Sequence, residues 1–109
     1  MAEVKRTILH ALPVPGLPGY ENRIVKLEFP PGVEGVLHNH PEVGLGYVVS
    51  GEHYSQWEGG EMEYYKAGDT FVDRADERHV HTSNPSKTEP LVIILSYVIK
   101  IGEPNVKAL

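Results

Sequence analysis

Short apolar segments separated by turn residues are the feature that most constrains the fold of this 109-residue chain. Apolar and polar residues alternate within these segments, or β-branched residues run together, and Gly, Pro or Asn-Pro separates one segment from the next. No stretch keeps an apolar period of about 3.6 residues over three turns. The pattern predicts an all-β protein that hides its edges as a closed barrel or as two packed sheets. The predicted strands are residues 4–9, 23–29, 36–40, 45–49, 53–57, 62–65, 70–72, 79–82 and 91–99.

Charge and cysteine content exclude several classes of function. The formal net charge is -5 with only ten Lys and Arg, so a phosphate-binding surface is not expected. The chain has no Cys, which excludes disulfides, thiolate metal ligands and a cysteine nucleophile. Residues 1–15 lack the pattern of a secretory signal, and the longest apolar run is far shorter than the roughly 20 residues of a membrane-spanning helix. We therefore expect a cytoplasmic protein without nucleic-acid or membrane partners.

The length fits a single domain, residues 1–109. We divide it into an N-terminal arm (residues 1–20), a barrel (21–101) and a peripheral C-terminal tail (102–109). Prolines and glycines in residues 12–19 predict an irregular arm that packs either on another subunit or on its own sheet. The β-branched run at 91–99 predicts a strand buried on both faces or at a subunit interface. Together these segments favour a homodimer.

Four of the six histidines form two closely spaced pairs, His38 with His40 and His79 with His81. Alternate residues of an extended strand share one face, so each pair projects its rings in one direction. Two such strands facing each other would gather the imidazoles in one pocket. Imidazole is the usual side-chain ligand of zinc, iron, nickel and copper, and the pattern therefore predicts a metal site.

Residues near these pairs are candidates for supporting roles. Three are candidates for an additional ligand or for a group that supports one: Glu42, His81 and Gln56. Four are candidates for the wall of a substrate pocket: Tyr47, Trp57, Arg74 and Arg78. Gln56 and Trp57 fall on opposite faces of one strand, so only one of them should face the interior. The loop carboxylates Asp73, Asp76 and Glu77 are expected to balance the arginine charges.

Two spaced motifs carry a resemblance to a known family. Gly32, His38, His40 and Gly51 fit the pattern G-x5-H-x-H-x3or4-E-x6-G, while Gly68, His79 and Asn84 approximate G-x5-P-x-G-x2-H-x3-N. These are the two motifs of the cupins, which the chain resembles over nearly its whole length. The resemblance implies a jelly-roll barrel, the cupin double-stranded β-helix, with a metal bound by His38, His40 and His79.

The chain departs from the cupin motifs at several positions. Gly44 stands where the usual glutamate ligand is found, Arg74 replaces the usual proline, Asp76 replaces a glycine, and Asn84 is displaced by one residue. The departure at Gly44 leaves a three-histidine variant. Glu42 could add a fourth ligand, but it follows a proline that ends the strand.

The three-histidine variant is similar to that of cupin dioxygenases that bind iron(II) and act on thiols or β-diketones. The resemblance implies one divalent transition metal per chain, with Fe(II) first and Mn, Ni or Zn as alternatives. We expect a dioxygenase-like oxidoreductase acting on a small chelating molecule of the enol or β-dicarbonyl type. Two alternatives remain: a non-catalytic cupin that binds a metal and a small ligand, and a metal-dependent isomerase or lyase.

Overall fold

The computed structural model describes residues 3–109, and in that range the chain forms ten strands and no helix. Accordingly, the described residues contain no helix that could span a membrane. The strands are β1 (Lys5–Pro13), β2 (Tyr20–Phe29), β3 (His38–Asn39), β4 (Gly44–Ser50), β5 (Glu52–Trp57), β6 (Glu63–Lys66), β7 (Thr70–Asp73), β8 (His79–Ser83), β9 (Leu91–Lys100) and β10 (Lys107–Ala108).

The strands form two five-stranded sheets. The first has the order β1-β2-β9-β4-β7, and the second has the order β10-β3-β8-β5-β6. All paired strands in both sheets are antiparallel. Two packed antiparallel sheets with non-sequential neighbours form the predicted jelly roll, so the all-β prediction is confirmed.

The hydrophobic core is built mainly on the inner face of the first sheet. In β2 the residues Val25, Leu27 and Phe29 are buried, which confirms the alternation predicted for residues 23–29. Strand β9 buries alternate residues in the same way, from Leu91 to Ile99. Its other face is half-buried or exposed, and Val98 is 46% exposed. The prediction that this strand is buried on both faces is therefore wrong for the single chain.

Strand β4 turns its large residues outward. Gly44, Gly46 and Val48 face the interior, whereas Leu45 and Tyr47 lie on the outer surface. Tyr47 is 47% exposed on that surface, so its predicted place in an interior pocket is wrong. The inward glycines make room for aromatic rings of neighbouring strands, since a Cβ at Gly46 would collide with the ring of Phe71.

Segments near both ends of the described range join the sheets. Strand β1 pairs with β2 from Lys5, opposite Glu28, to Pro13, opposite Glu21. The strand predicted at residues 4–9 therefore extends to Pro13 as an edge strand of its own sheet, and the irregular stretch is confined to residues 14–19. Strand β10 pairs with β3 and places Ala108 opposite His38. The prediction that residues 102–109 are peripheral is wrong, because this tail forms an edge next to the histidines.

Candidate metal centre

Three histidines meet in the interior between the two sheets. His38 on β3 pairs directly with His79 on β8, and His40 follows β3 and bridges to Ala75. The three side chains offer nitrogen atoms that all lie within 4.8 Å of one another, and each residue is at most 4% exposed. His38 and His40 thus share one face, as their spacing predicts, and the three residues form a group that could hold a metal ion.

Backbone carbonyl groups orient two of the rings. Nδ1 of His38 donates to the carbonyl oxygen of Val36 at 2.6 Å, and Nδ1 of His40 donates to that of Asn105 at 2.9 Å. A carbonyl oxygen only accepts, so each Nδ1 carries the hydrogen and each neutral ring presents an unprotonated Nε2. These two Nε2 atoms are 3.2 Å apart. A hydrogen bond to the distal ring nitrogen is the usual support of a metal-binding histidine.

Ser55 and Trp57 hold the third ring. Nε2 of His79 is 2.6 Å from the hydroxyl oxygen of Ser55, and its Nδ1 faces Nε2 of His38 at 3.2 Å. The ring of Trp57 stacks on that of His79 with centroids 3.8 Å apart and planes 6° apart. Of the two neighbours Gln56 and Trp57, Trp57 therefore faces the interior. Sequence reasoning did not identify Ser55 or Asn105, because each is brought to its histidine from a distant part of the chain.

Nitrogen lone pairs that face each other repel unless a proton or a metal ion lies between them. Burial lowers the pKa of His40 to about 4 and that of His79 to about 2, and it also lowers the pKa of His38. All three imidazoles are consequently neutral near pH 7, which is the form that binds metal. The donor set suits a late first-row transition metal ion.

Asp73 is a buried carboxylate next to the histidines, and sequence reasoning missed its role. Its Oδ2 lies 3.3 Å from Nε2 of His40 and accepts a hydrogen bond from the hydroxyl of Tyr97 at 3.2 Å. Burial raises the pKa of Asp73 to about 6. The prediction that Asp73 balances the loop arginines is wrong, since it is only 4% exposed and points inward. Strand parity could have identified this role. Asp73 lies one residue beyond the strand predicted at 70–72, and on an extended strand it shares a face with the apolar Phe71.

A cavity of about 30 Å³ adjoins the histidines. His38, His40 and Asp73 line one part of it, and Arg6 of β1 and Val36 line another. This volume accommodates about one water molecule. The guanidinium of Arg6 makes no hydrogen bond or ion pair with any residue in the range 3–109, and its positive charge acts on Asp73. Sequence reasoning did not select Arg6, because the pairing of β1 with β2 is what brings it to this cavity.

The additional ligand candidates do not join the imidazole group. Glu42 lines a surface groove with Leu17 and Val98, and it is absent from the cluster of donor atoms. Gln56 donates to the carbonyl oxygen of Gly60 at 3.0 Å, outside the cavity. Nε2 of His81 is 2.9 Å from the hydroxyl oxygen of Ser83, so this ring is hydrogen-bonded to another side chain of its own strand, β8. The structure thus contradicts the supporting roles predicted for Glu42 and Gln56, and shows no contact between His81 and the three rings.

The loop arginines lie at the surface. The guanidinium carbon of Arg74 sits 5.7 Å from the centroid of Trp57, and its Nη1 is 3.4 Å from Glu77. Nε of Arg78 is 3.1 Å from a carboxylate oxygen of Glu58, and both side chains are exposed. Arg78 therefore does not line the interior. Arg74 lies near the ring of Trp57, which in turn stacks on His79.

Comparison with protein families identifies one match. The family described as "Cupin domain" matches residues 25–97, which include the second half of β2, all of β3 to β8 and most of β9. Comparison with curated proteins finds no match.

Solved structures share the fold at low sequence identity. A double-stranded β-helix protein from Klebsiella pneumoniae is 20% identical with a TM-score of 0.74, over 98% of this chain and 86% of that one. A cupin-like protein from Thermotoga maritima is 23% identical with a TM-score of 0.72, over 97% and 75% of the two chains. The DMSP lyase DddQ from Ruegeria pomeroyi is 15% identical with a TM-score of 0.75, over 96% of this chain but only 51% of that one. At these identities the likeness concerns the fold.

Proposed function

This chain belongs to the cupin family, and on that premise we propose that it is a metal-dependent enzyme whose ion is held by His38, His40 and His79. The observation that carries the proposal is the convergence of three buried imidazoles, two of them with their distal nitrogens bound to backbone carbonyls. Such an arrangement is costly to bury without an ion and is suited to holding one.

The proposed reaction is the oxygenation of a small chelating molecule, of the enol or β-dicarbonyl type. Iron(II), when bound, would supply the redox chemistry and open positions for a bidentate ligand and dioxygen. The protein's own residues contribute the surroundings. Trp57 and Tyr97 pack against the imidazoles and exclude water, while the backbone carbonyls of Val36 and Asn105 keep the rings from turning.

Arg6 supports a preference for an anionic substrate. Its guanidinium is without a protein partner among the described residues and lines the same cavity as His38 and His40. An enolate that reaches the site would gain from this positive charge. Because the cavity is only about 30 Å³, it must widen when such a molecule binds, and Arg6 and Val36 are exposed residues of its lining.

Metal content and oxygen uptake test this proposal. We expect wild-type protein to bind one metal ion per chain and the His38→Ala variant to bind none. Iron-loaded, anaerobically prepared protein should form a coloured adduct with nitric oxide and consume oxygen with a β-dicarbonyl. Metal binding without oxygen consumption for any chelating substrate would exclude the oxygenase, and an absence of metal in wild type would exclude the metal site itself.

A second candidate is a non-redox lyase or isomerase, and the position of Asp73 favours it. A carboxylate 3.3 Å from Nε2 of His40 and hydrogen-bonded to Tyr97 could take a proton from a carbon atom of a bound substrate. Turnover that persists with zinc and without oxygen would identify this function. Tight metal binding with no turnover under either condition would instead indicate a non-catalytic binding protein.

Homodimerisation and a cytoplasmic location belong to the same proposal. Support for a dimer comes from the outer face of the first sheet, where Ile24, Leu45 and Val72 line an exposed apolar groove together with Tyr47. A second copy of the chain packed on this face would cover it. Light scattering of wild type and of a Leu45→Glu variant tests this, since the variant should be monomeric if the face is the interface.

A further inference from the structure

Asp73 lies beside the position from which cupins usually supply a carboxylate. That position is Gly44, which pairs with Asp73 of β7 on one side and with Tyr97 of β9 on the other. All three residues face the interior. Thus the carboxylate that is missing from β4 is present on the neighbouring strand.

The packing shows why Gly44 cannot carry the carboxylate. A Cβ atom built on Gly44 would lie 2.5 Å from a ring carbon of Tyr97. The ring of Tyr97 fills this space, and its hydroxyl donates to Oδ2 of Asp73 at 3.2 Å. Glycine at 44, tyrosine at 97 and aspartate at 73 therefore form one arrangement, in which the tyrosine holds the aspartate toward the histidines.

The carboxylate of Asp73 faces an unprotonated ring nitrogen of His40, although a buried carboxylate would normally face a hydrogen-bond donor. Its Oδ2 is 3.3 Å from Nε2 of His40, but the hydrogen of that ring is on Nδ1, which donates to Asn105. The carboxylate and the imidazole therefore turn lone pairs toward the same space, as do Nε2 of His38 and Nε2 of His40. A cation in that space would be shared by the nitrogens of His38 and His40. It would also attract the carboxylate of Asp73, which lies 3.3 Å from Nε2 of His40 but outside the group of donor atoms that are all within 4.8 Å of one another.

We propose that Asp73 is the carboxylate ligand of the metal site, supplied from β7 in place of the glutamate that Gly44 cannot provide. The inference rests on the proposed metal site and deepens it. It changes the donor set from three neutral imidazoles to three imidazoles and one carboxylate, which lowers the charge of the bound centre by one. The proposed ligand is Asp73 and not Glu42, because Glu42 lines a groove away from the histidines.

Cobalt(II) is a suitable probe, because its visible absorption reports the number and type of ligands. We expect Asp73→Asn to bind cobalt(II) at least tenfold more weakly than wild type and to show an altered visible spectrum. The matched control Glu42→Gln removes the carboxylate that is close to His40 in sequence but lies in a surface groove, and it should leave both affinity and spectrum unchanged. The Tyr97→Phe variant keeps the ring against Gly44 and should retain a spectrum close to that of wild type, with a smaller loss of affinity.

The possible failures are distinguishable. If Asp73→Asn matches wild type in affinity and spectrum while His79→Ala binds no cobalt, the carboxylate ligand is excluded and the three-histidine site stands. If wild type binds no cobalt, both proposals fail. If Asp73→Asn does not fold, infrared difference spectra of an Asp69→Asn, Asp76→Asn double variant labelled with ¹³C-aspartate decide the matter, because Asp73 is then its only aspartate. Carboxylate bands that shift on zinc addition support the ligand, and unshifted bands exclude it.

Discussion

The interior of this barrel has two parts that are equally buried and chemically opposite. The apolar part lies on the inner face of β2 and β9 and contains Val25, Leu27 and Leu95, while the polar part contains the three histidines and Asp73. Burying a leucine side chain gains about 1.5–3 kcal/mol, whereas burying a polar group costs free energy unless it is paired. The polar part therefore depends on the stability of the apolar part, which indicates that function and not stability maintains it.

The two parts also differ in how the chain holds them. Strands β2 and β9 pair over ten residues without interruption, but β3 has only two residues and His40 lies beyond its end. The imidazoles are held instead by single hydrogen bonds to Val36, Asn105 and Ser55. Long strands thus form the scaffold, and short strands with local hydrogen bonds set the geometry of the site.

Acid should act on the buried histidines and produce the largest effect. These are the three of the polar part and His53 of β5, whose ring centroid lies 5.2 Å from that of Phe71. In the metal-free protein, burial lowers the pKa of His40 and of His53 to about 4, so the unfolded chain binds more protons than the folded one between about pH 6.5 and 4. His38 and His79 act in the same direction. The raised pKa of Asp73 opposes this below about pH 6, because the folded state then binds the extra proton.

Four histidines outweigh one aspartate, so we expect the free energy of unfolding of the metal-free protein to fall by several kcal/mol from pH 6.5 to pH 4. Urea titrations across this range measure it. Stability that is flat over the range, or that rises toward acid, would contradict the prediction. Zinc should raise stability at pH 7.5 and lose this effect toward pH 5, since protons compete for the ligand nitrogens.

Truncation in the apolar part should affect stability and leave the site intact. Leu95→Ala should lower the free energy of unfolding by about 2–5 kcal/mol, because the side chain is fully buried in the core and leaves a cavity. Chemical unfolding measures the loss. The metal content of the folded fraction should equal that of wild type, and a loss of metal in folded protein would show that the two parts are coupled more closely than the comparison implies.

The variant His79→Ala should have the opposite pattern, with a large loss of metal affinity and a smaller loss of stability. We expect its metal affinity to fall by more than about a hundredfold, because the site loses one of its three imidazoles. Its metal-free stability should fall less than that of Leu95→Ala, since removing a desolvated polar ring offsets part of the cavity left beside Trp57. Metal titration by calorimetry and urea unfolding test the two statements separately, and a variant that binds metal as wild type does would contradict the assignment of His79.

Removing a supporting hydrogen bond should have the smallest effect. Ser55→Ala deletes the hydroxyl that lies 2.6 Å from Nε2 of His79, so metal affinity should fall by about tenfold while the stoichiometry stays at one. The matched control Ser83→Ala removes the hydroxyl beside His81, which contacts none of the three rings, and should leave the affinity unchanged. Equal losses in both variants would contradict a specific role for Ser55.

Much of the fold could be predicted because it depends on local patterns. The alternation in residues 23–29 and the H-x-H spacing of His38 and His40 are properties of neighbouring residues, and both agree with the structure. The errors concern residues whose environment is set by pairing. Tyr47 lies outside because β4 turns glycines inward, and the tail is structural because β10 pairs with β3. Neither fact follows from composition or spacing.

By itself the sequence determined the all-β class, the cupin family and the three histidines. Strand period and motif spacing are properties of residues close together in the chain, and they do not depend on how the strands pair. The tertiary structure alone decided which distant groups complete the site. It brings Ser55 to His79, Asn105 to His40, and Asp73 with Tyr97 to the place of Gly44. The physical reason is that hydrogen bonding and burial depend on which strands are neighbours, and that order is fixed by packing of the whole barrel.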